Sequence, residues 1–510
     1  MKTEITLLNS PQIFSSRFPI SGRILTSNLV NDKRFDVHLT EHIQLKCYSK
    51  GFTRWKSLWN NEDNPLSGTD NYDVFARGWI NAKISKFEWN SKFTLFYMYT
   101  GALDDVILQN IKTEVVFFTA YSILDLRMIK VLLNNRHKVV MGGASAFIYS
   151  PKEIREYLKK MNVANDLISK NLIIVTGYVD LTTDLYKIFD KWEDTVITKN
   201  DFTTMWDCTI DGFIDYIGIY RKLFDTHIGA LLTSECWWGN CKFCTYNLLP
   251  KINFTDGVSV DKVFNYFCIL RENYKSNNVF FNDSYILNTK FNKELLKKMS
   301  DDGFHISIFS GIKLMSNQKF LHFLNEIRIN TICLGLESVN DFSLEYIQKG
   351  YGKKEINEMI SQIKKYVKVP MTLYTFLITD LPMNSKNKET ALSDIKRDWD
   401  FIVNFKKEVA KAGFHCEIAF SPLRHFPKTN LIDGNLLRYA NEDQMNYESL
   451  SGLHGLYDYF NRKLGIDISQ IVENKCINEA VVRYLPNGDF LESDIHHVDK
   501  EILRYSAKWE

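Results

Sequence analysis

Gly229-Ala230-Leu231-Leu232-Thr233-Ser234-Glu235-Cys236-Trp237-Trp238-Gly239-Asn240-Cys241-Lys242-Phe243-Cys244-Thr245-Tyr246 is a short apolar run joined directly to a loop with three cysteines. The apolar run reads as a buried parallel strand, and the loop as the segment leaving its carboxyl end. Three thiolates in one short loop can hold three irons of a 4Fe–4S cube and leave the fourth iron open to a small molecule. Zinc is a competitor, but structural zinc sites favour four ligands in paired Cys-x-x-Cys units, and no second pair exists here. A redox dithiol at Cys241 and Cys244 is another competitor. It leaves Cys236 without a role, so the cluster is the leading reading, with Cys236, Cys241 and Cys244 as metal ligands.

Downstream of this loop the pattern repeats. Apolar strands are expected at Ile228–Leu232, Asn278–Phe281, His305–Phe309, Thr331–Leu334, Met371–Phe376 and His415–Phe420. Between them, helices are expected at Val258–Tyr274, Lys290–Met299, Gln318–Ile327, Glu355–Tyr366 and Asn387–Val409. Apolar residues at three- and four-residue steps, such as Val263, Tyr266, Phe267 and Leu270, define each helix's buried side. Six βα units predict a parallel, partial (β/α)6 barrel over 226–430, open because it falls short of eight. Chemistry in such sheets gathers at the carboxyl ends of the strands, where the cysteine loop falls.

Upstream, Lys92–Tyr99, Glu114–Thr119, His137–Met141 and Asn171–Thr176 read as buried strands, with helices at Leu124–Asn134 and Pro151–Met161. Strand–helix alternation at this spacing predicts a Rossmann-like, doubly wound α/β domain over 92–200. Gly142, Gly143 and Gly177 come after two of these strands, where glycine lets the backbone approach a ligand closely. Residues 1–91 show no sustained period and are expected to form an N-terminal extension that packs on its neighbour. A linker is expected over 201–225 and a small α+β C-terminal domain over 431–510, with a hairpin around Pro486-Asn487-Gly488.

At 510 residues the chain exceeds what a single core covers. Aromatic residues make up 14%, which predicts aromatic-lined interior surfaces. The net charge of +2 argues against a nucleic-acid-binding protein. No apolar run is long enough for a membrane span, and the N-terminus lacks a secretory core. Nine cysteines with one cluster fit a reducing cytoplasm. Cys47, Cys208, Cys268, Cys333, Cys416 and Cys476 are scattered and read as inert.

The cysteine loop, together with Gly335-Leu336-Glu337-Ser338, resembles the radical S-adenosylmethionine superfamily. That family usually has Cys-x3-Cys-x2-Cys, and this loop has one residue more between its first two cysteines. The Trp-Trp-Gly insert and Asp211-Gly-Phe-Ile-Asp215 resemble a branch with a cobalamin-binding-type domain ahead of the barrel, several of whose members modify ribosomally made peptides. The resemblance covers roughly 92–425. It implies that the open iron chelates the methionine moiety of S-adenosylmethionine, that Phe243 lies beside the adenine, and that Asp283 recognises the methionine amine. It further implies that Ser310 reaches the carboxylate or ribose and that Glu337 and Ser338 lie near the ribose. The turn Thr379–Asn384 stands where relatives often carry Gly-x-Pro-Gly-Glu, but lacks the glycines.

The resemblance also implies a reaction. One electron from the reduced cluster splits the sulfonium, and the resulting radical takes a hydrogen atom from a substrate carbon. It implies a peptide or natural-product substrate and a flavodoxin- or ferredoxin-type reductant as well. Ser122, Gly142, Gly143 and Gly177 are the positions where front-domain loops would line cobalamin. The signature Asp-x-His-x-x-Gly is missing; Asp36-Val37-His38-Leu39-Thr40-Glu41 begins like it, ends in Glu, and is expected ahead of the first strand. Two outcomes therefore stay open. With cobalamin, methyl transfer to an unactivated carbon is favoured. Without it, the front domain is vestigial and the outcome is epimerisation, cross-linking or oxidation. A non-enzymatic metal-binding scaffold is the alternative from another class.

Overall fold

The computed structural model describes residues 2–9, 20–39, 108–109, 111–120, 125–198, 200–207, 228–284, 286, 289–378, 381, 388–421 and 429. These residues build two parallel six-stranded sheets with helices against them.

The first sheet contains β1 (Thr3–Asn9), β2 (Phe35–Leu39), β3 (Val115–Thr119), β4 (Lys138–Gly142), β5 (Leu172–Thr176) and β6 (Thr195–Val196). Its order is β2-β1-β3-β4-β5-β6, with every pairing parallel. This is the flavodoxin-type order of the doubly wound fold, whose ligand crevice opens where the order reverses, between β1 and β3. Helix α1 (Ile20–Asn31) links β1 to β2, and α2 (Asp125–Asn134) links β3 to β4. After β4 come α3 (Ala144–Ile148), α4 (Pro151–Lys160) and α5 (Asn165–Asn171), and α6 (Leu185–Lys191) precedes β6. Helix α4 starts on a capping box, Ser150 with Glu153, and has proline in its first turn.

Two expectations need correction. The front domain does not begin at residue 92, because β1 and β2 of the expected N-terminal extension pair inside its sheet. Asp36-Val37-His38 accordingly lies within β2 rather than ahead of the first strand. Helix α1 hid the relationship, since it buries Arg23, Thr26, Ser27 and Asn28 as well as Ile24 and Leu29. Polar residues on the buried side erase the amphipathic period that a sequence reading relies on. The expected strand Lys92–Tyr99 and the C-terminal domain 431–510 lie outside the described residues, as does most of the linker. Its first part, Phe202–Asp207, is a 3-10 turn.

The second sheet runs β7 (Ile228–Ala230), β8 (Asn278–Phe281), β9 (His305–Ser310), β10 (Ile329–Glu337), β11 (Met371–Ile378) and β12 (Phe414–Ser421) in sequence order, all parallel. Helices α7 (Val260–Tyr274), α8 (Lys290–Asp301), α9 (Ile312–Met315), α10 (Gln318–Leu324), α11 (Asp341–Tyr346), α12 (Lys353–Tyr366) and α13 (Lys388–Lys411) connect them. Register fixes the two faces. Ile306, Ile308, Ile332, Leu334 and Leu373 share the face that forms one core with Leu295, Ile356 and Ile363 from the helices. The opposite face carries rings in contact, Phe280 with Phe309 at 5.2 Å and Tyr374 with Phe376 at 5.1 Å. Among the described residues no helix is long and apolar enough to cross a membrane.

The glycines after β4 and β5 have a reason internal to the fold. Gly143 sits at φ +96°, and a Cβ there would lie 2.5 Å from the Ala120 carbonyl oxygen. Gly177 sits at φ +133°, with Ile197 2.6 Å from the position of a Cβ. The close approach expected for a ligand is thus made to neighbouring backbone, and Gly142 has only ordinary contact with Val175. Gly143→Ala is expected to destabilise the protein by about 2–4 kcal/mol through strain and overpacking. A denaturant titration showing less than about 0.5 kcal/mol would contradict this.

Candidate active site at the carboxyl edge of the second sheet

The cysteine loop is pinned at its stem before it reaches Cys236. Asp283, just past β8 and 0% exposed, accepts hydrogen bonds from Leu232 N (2.9 Å) and Thr233 N (2.6 Å). Opposite it, Thr233 bridges Asn253, Ser234 N donates to the Ile252 carbonyl and Ser234 Oγ to the Pro250 carbonyl. Tyr246 Oη donates to the Thr233 carbonyl and Ser284 Oγ to the Glu235 carbonyl. Burial raises the Asp283 carboxyl to about 7, against the lowering effect of the Leu232 and Thr233 N–H groups. The resemblance implied that Asp283 recognises an amine; its visible work is to hold the loop's entry.

The loop is also gripped from above by the turn between α11 and α12. Lys242 N donates to the Ile347 carbonyl (3.1 Å), and Trp238 Nε1 donates to the Gln348 carbonyl (2.7 Å). Phe243 packs on Ile347, Ile378 and Leu381, with Lys349 Nζ 5.8 Å from its ring centroid. Lys349 pairs with Glu337 at 3.2 Å, both side chains about 15% exposed or less. Burial works to lower the Lys349 ammonium, but Glu337, Tyr351 and Cys241 outweigh it and the net direction is up. Tyr351 Oη donates to the Gly335 and Leu336 carbonyls.

Glu337 ends β10 at φ +58°, where the register slips against β11 between Gly335 and Glu337. A non-glycine residue in the left-handed region costs roughly 1–2 kcal/mol and is held there by its surroundings. Here the Lys349 ion pair supplies that hold. Ser338 Oγ accepts from Asn340 N and so shapes the turn into α11. Ser310 lies on the helix-packed face with Ile306 and Ile308, and among the described residues its buried Oγ has no partner. Of the turn Thr379–Asn384 only Leu381 is described.

The three cysteines lie within electrostatic reach of one another, so that Cys236 and Cys244 both raise the Cys241 thiol, and Cys236 raises Cys244. Burial is the larger cause in each case. It lifts Cys241 to about 11, partly offset by Lys349. Among the described residues no group of three His, Cys, Asp or Glu side chains converges as a single metal ion requires. A cube makes a different demand, since each sulfur binds its own corner.

The front sheet's carboxyl edge abuts this loop. Tyr178, one residue past Gly177, packs its ring 5.4 Å from Phe254, whose N–H donates to the Leu232 carbonyl at the loop's stem. Beside Gly143, Ser145 is 0% exposed and its Oγ has no hydrogen-bond partner among the described residues. Sequence reading missed Ser145; a serine after two glycines carried no distinguishing signal. Ser122 lies outside the described residues.

No family model matches the chain. Over 140 residues it is 26% identical to an uncharacterized methyltransferase, PH0819, of Pyrococcus horikoshii. The match takes in 27% of this chain and 30% of that relative's length. Among solved structures, TsrM of Kitasatospora setae is a radical S-adenosylmethionine methyltransferase with cobalamin and a 4Fe–4S cluster bound. It is 12% identical with a TM-score of 0.46, covering 84% of this chain and 77% of TsrM. OxsB, a cobalamin-dependent S-adenosylmethionine radical enzyme with aqua-cobalamin and S-adenosylmethionine bound, is 12% identical with a TM-score of 0.48. The alignment covers 88% of this chain and 61% of OxsB.

Proposed function

We propose that this chain is a radical S-adenosylmethionine enzyme that modifies an unactivated carbon of a peptide or natural-product substrate, by methyl transfer that uses cobalamin. The observation that carries the reading is a trio of cysteines within electrostatic reach of one another on a doubly anchored loop at the carboxyl edge of a six-stranded parallel sheet. The donor set fits, since soft thiolates suit an iron–sulfur cluster. Cys236, Cys241 and Cys244 would hold the cube, which when bound supplies one-electron reduction of S-adenosylmethionine and so reactivity toward C–H bonds.

The chain's own residues prepare that site. Asp283 fixes where the loop leaves β7, and Phe243 with Ile347, Ile378 and Leu381 forms an apolar floor that excludes water beside Cys241 and Cys244. Lys349 and Glu337 place a neutralised charge pair at the site's edge. The flavodoxin-type strand order, which reverses between β1 and β3, and the buried Ser145 hydroxyl, without a partner among the described residues, support a second cofactor seat in the front sheet. Tyr178 against Phe254, which is bonded to the Leu232 carbonyl, brings that sheet's edge to the stem of the cysteine loop, as transfer between the two seats requires. The partners assigned with this reading are a flavodoxin- or ferredoxin-type reductant and a cytoplasmic setting.

Anaerobically reconstituted full-length protein tests it. The expected result is a reduced-cluster electron paramagnetic resonance signal that changes on adding S-adenosylmethionine, with release of 5′-deoxyadenosine and a cobalamin absorption band after loading. A cluster indifferent to S-adenosylmethionine, or zinc at the cysteines, would overturn the reading.

A further inference from the structure

Four residues separate Cys236 from Cys241, and Trp238 is one of them. We infer that Trp238, seated on Gly350, is a positioning residue that sets how the three cysteines are presented; the inference rests on the cluster reading above.

The seat is built on three sides. The indole N–H donates to the Gln348 carbonyl at 2.7 Å. Lys313 Nζ, from α9, lies 4.4 Å from the indole's centroid, a cation over the ring's negative face. Beneath the ring is Gly350 at φ +71°, and a Cβ added there would fall 2.2 Å from the Trp238 Cη2 and Cζ2 atoms. No side chain fits that gap, and no bulky residue adopts that backbone cheaply. Gln348, two residues earlier, also holds a left-handed φ of +57° without being glycine. The turn thus carries two left-handed residues that together present a carbonyl and a bare backbone to a single indole. Strain of this kind persists where the surroundings over-determine it.

The turn reaches the rest of the loop as well. Ile347 accepts from Lys242 N beside Cys241, and Lys349 lies over the Phe243 ring beside Cys244. Tyr351 ties the same turn to the β10 bulge through the Gly335 and Leu336 carbonyls. Tyr246 Oη, on the Thr233 carbonyl, ties the segment after Cys244 to the stem. Trp238 ties the segment between Cys236 and Cys241 to the same turn that holds Lys242 and Phe243.

Gly350→Ala, Trp238→Ala, Trp238→Phe and Phe342→Ala should be prepared as full-length chains and reconstituted anaerobically beside the parent. Phe342 is exposed on α11, outside the seat. Gly350→Ala and Trp238→Ala are expected to hold about fivefold less cluster iron and to shift the resonance spectrum of what remains. Trp238→Phe, which keeps a ring on Gly350, should recover more than half of the parent's loading, and Phe342→Ala should match the parent. Unfolding midpoints report folding separately. Parent-like loading and spectra in both Gly350→Ala and Trp238→Ala would overturn the inference while leaving the cluster reading intact. A parent chain that binds no cluster would instead overturn the cluster reading itself.

Discussion

Replacing Cys241 with alanine is expected to lower 5′-deoxyadenosine formation by at least about 100-fold and to remove the S-adenosylmethionine-sensitive cluster signal. Cys241 is central to the trio, since its thiol couples to both Cys236 and Cys244. Removing it leaves two sulfurs for a group that needs three. The metal-free thiol is held near 11 by burial, so at neutral pH it carries its proton and iron must displace it. Cluster assembly is therefore expected to release protons and to proceed more readily at pH 8.5 than at pH 6.5. Cys268→Ala supplies the control. Its thiol lies on α7, apart from the trio, and the variant should assemble like the parent. Equal cluster content in Cys241→Ala and Cys268→Ala would remove the basis for the assignment.

The second large effect is expected at Asp283. Alanine there strands two backbone N–H groups at the start of the loop, at a cost of about 2–5 kcal/mol in stability, and should abolish cluster loading. Asparagine keeps the Oδ1 acceptor that both N–H groups use and should retain most of the fold. The two proteins should differ in pH dependence. Burial raises the native Asp283 carboxyl from 3.8 to about 7, so the native state holds its proton over a range where the unfolded chain has lost it. This contribution is complete below the unfolded value and is lost as pH rises through about 7. Relative to Asp283→Asn, the parent should lose on the order of 3 kcal/mol between pH 5 and pH 8. Parallel stability profiles for the two, measured by urea titration without metal, would show that the buried carboxyl does not titrate as described.

The second sheet was legible because each of its strands is a compact apolar run bounded by an amphipathic helix. Asn278–Phe281 has its expected bounds, and the other strands lie within a few residues of theirs. Parallel burial and a 3.6-residue period are local signals, so a sequence displays them. The first sheet was half legible for the opposite reason. Thr3–Asn9 pairs with a strand more than a hundred residues away, and α1 turns polar side chains inward toward partners that no local window contains. The cysteines stand out because reactive residue types in a tight loop are rare. The turn at 347–351 does not, since its role depends on left-handed backbone and on a carbonyl aimed at an indole, neither of which composition records.

The inward-facing arginine of α1 has a mechanical consequence. Arg23, 2% exposed, donates to the Gly229 carbonyl at 2.6 Å, while Asn28 on the same helix donates to the Asp180 and Thr183 carbonyls of its own half. Ile24 enters the core of the second sheet and Leu29 that of the first. One helix is thereby a rivet through both halves, fastened to the very strand that feeds the cysteines. Any tug on the amino-terminal segment is transmitted to the mouth of the reactive loop, and the halves cannot hinge apart without breaking bonds at its root.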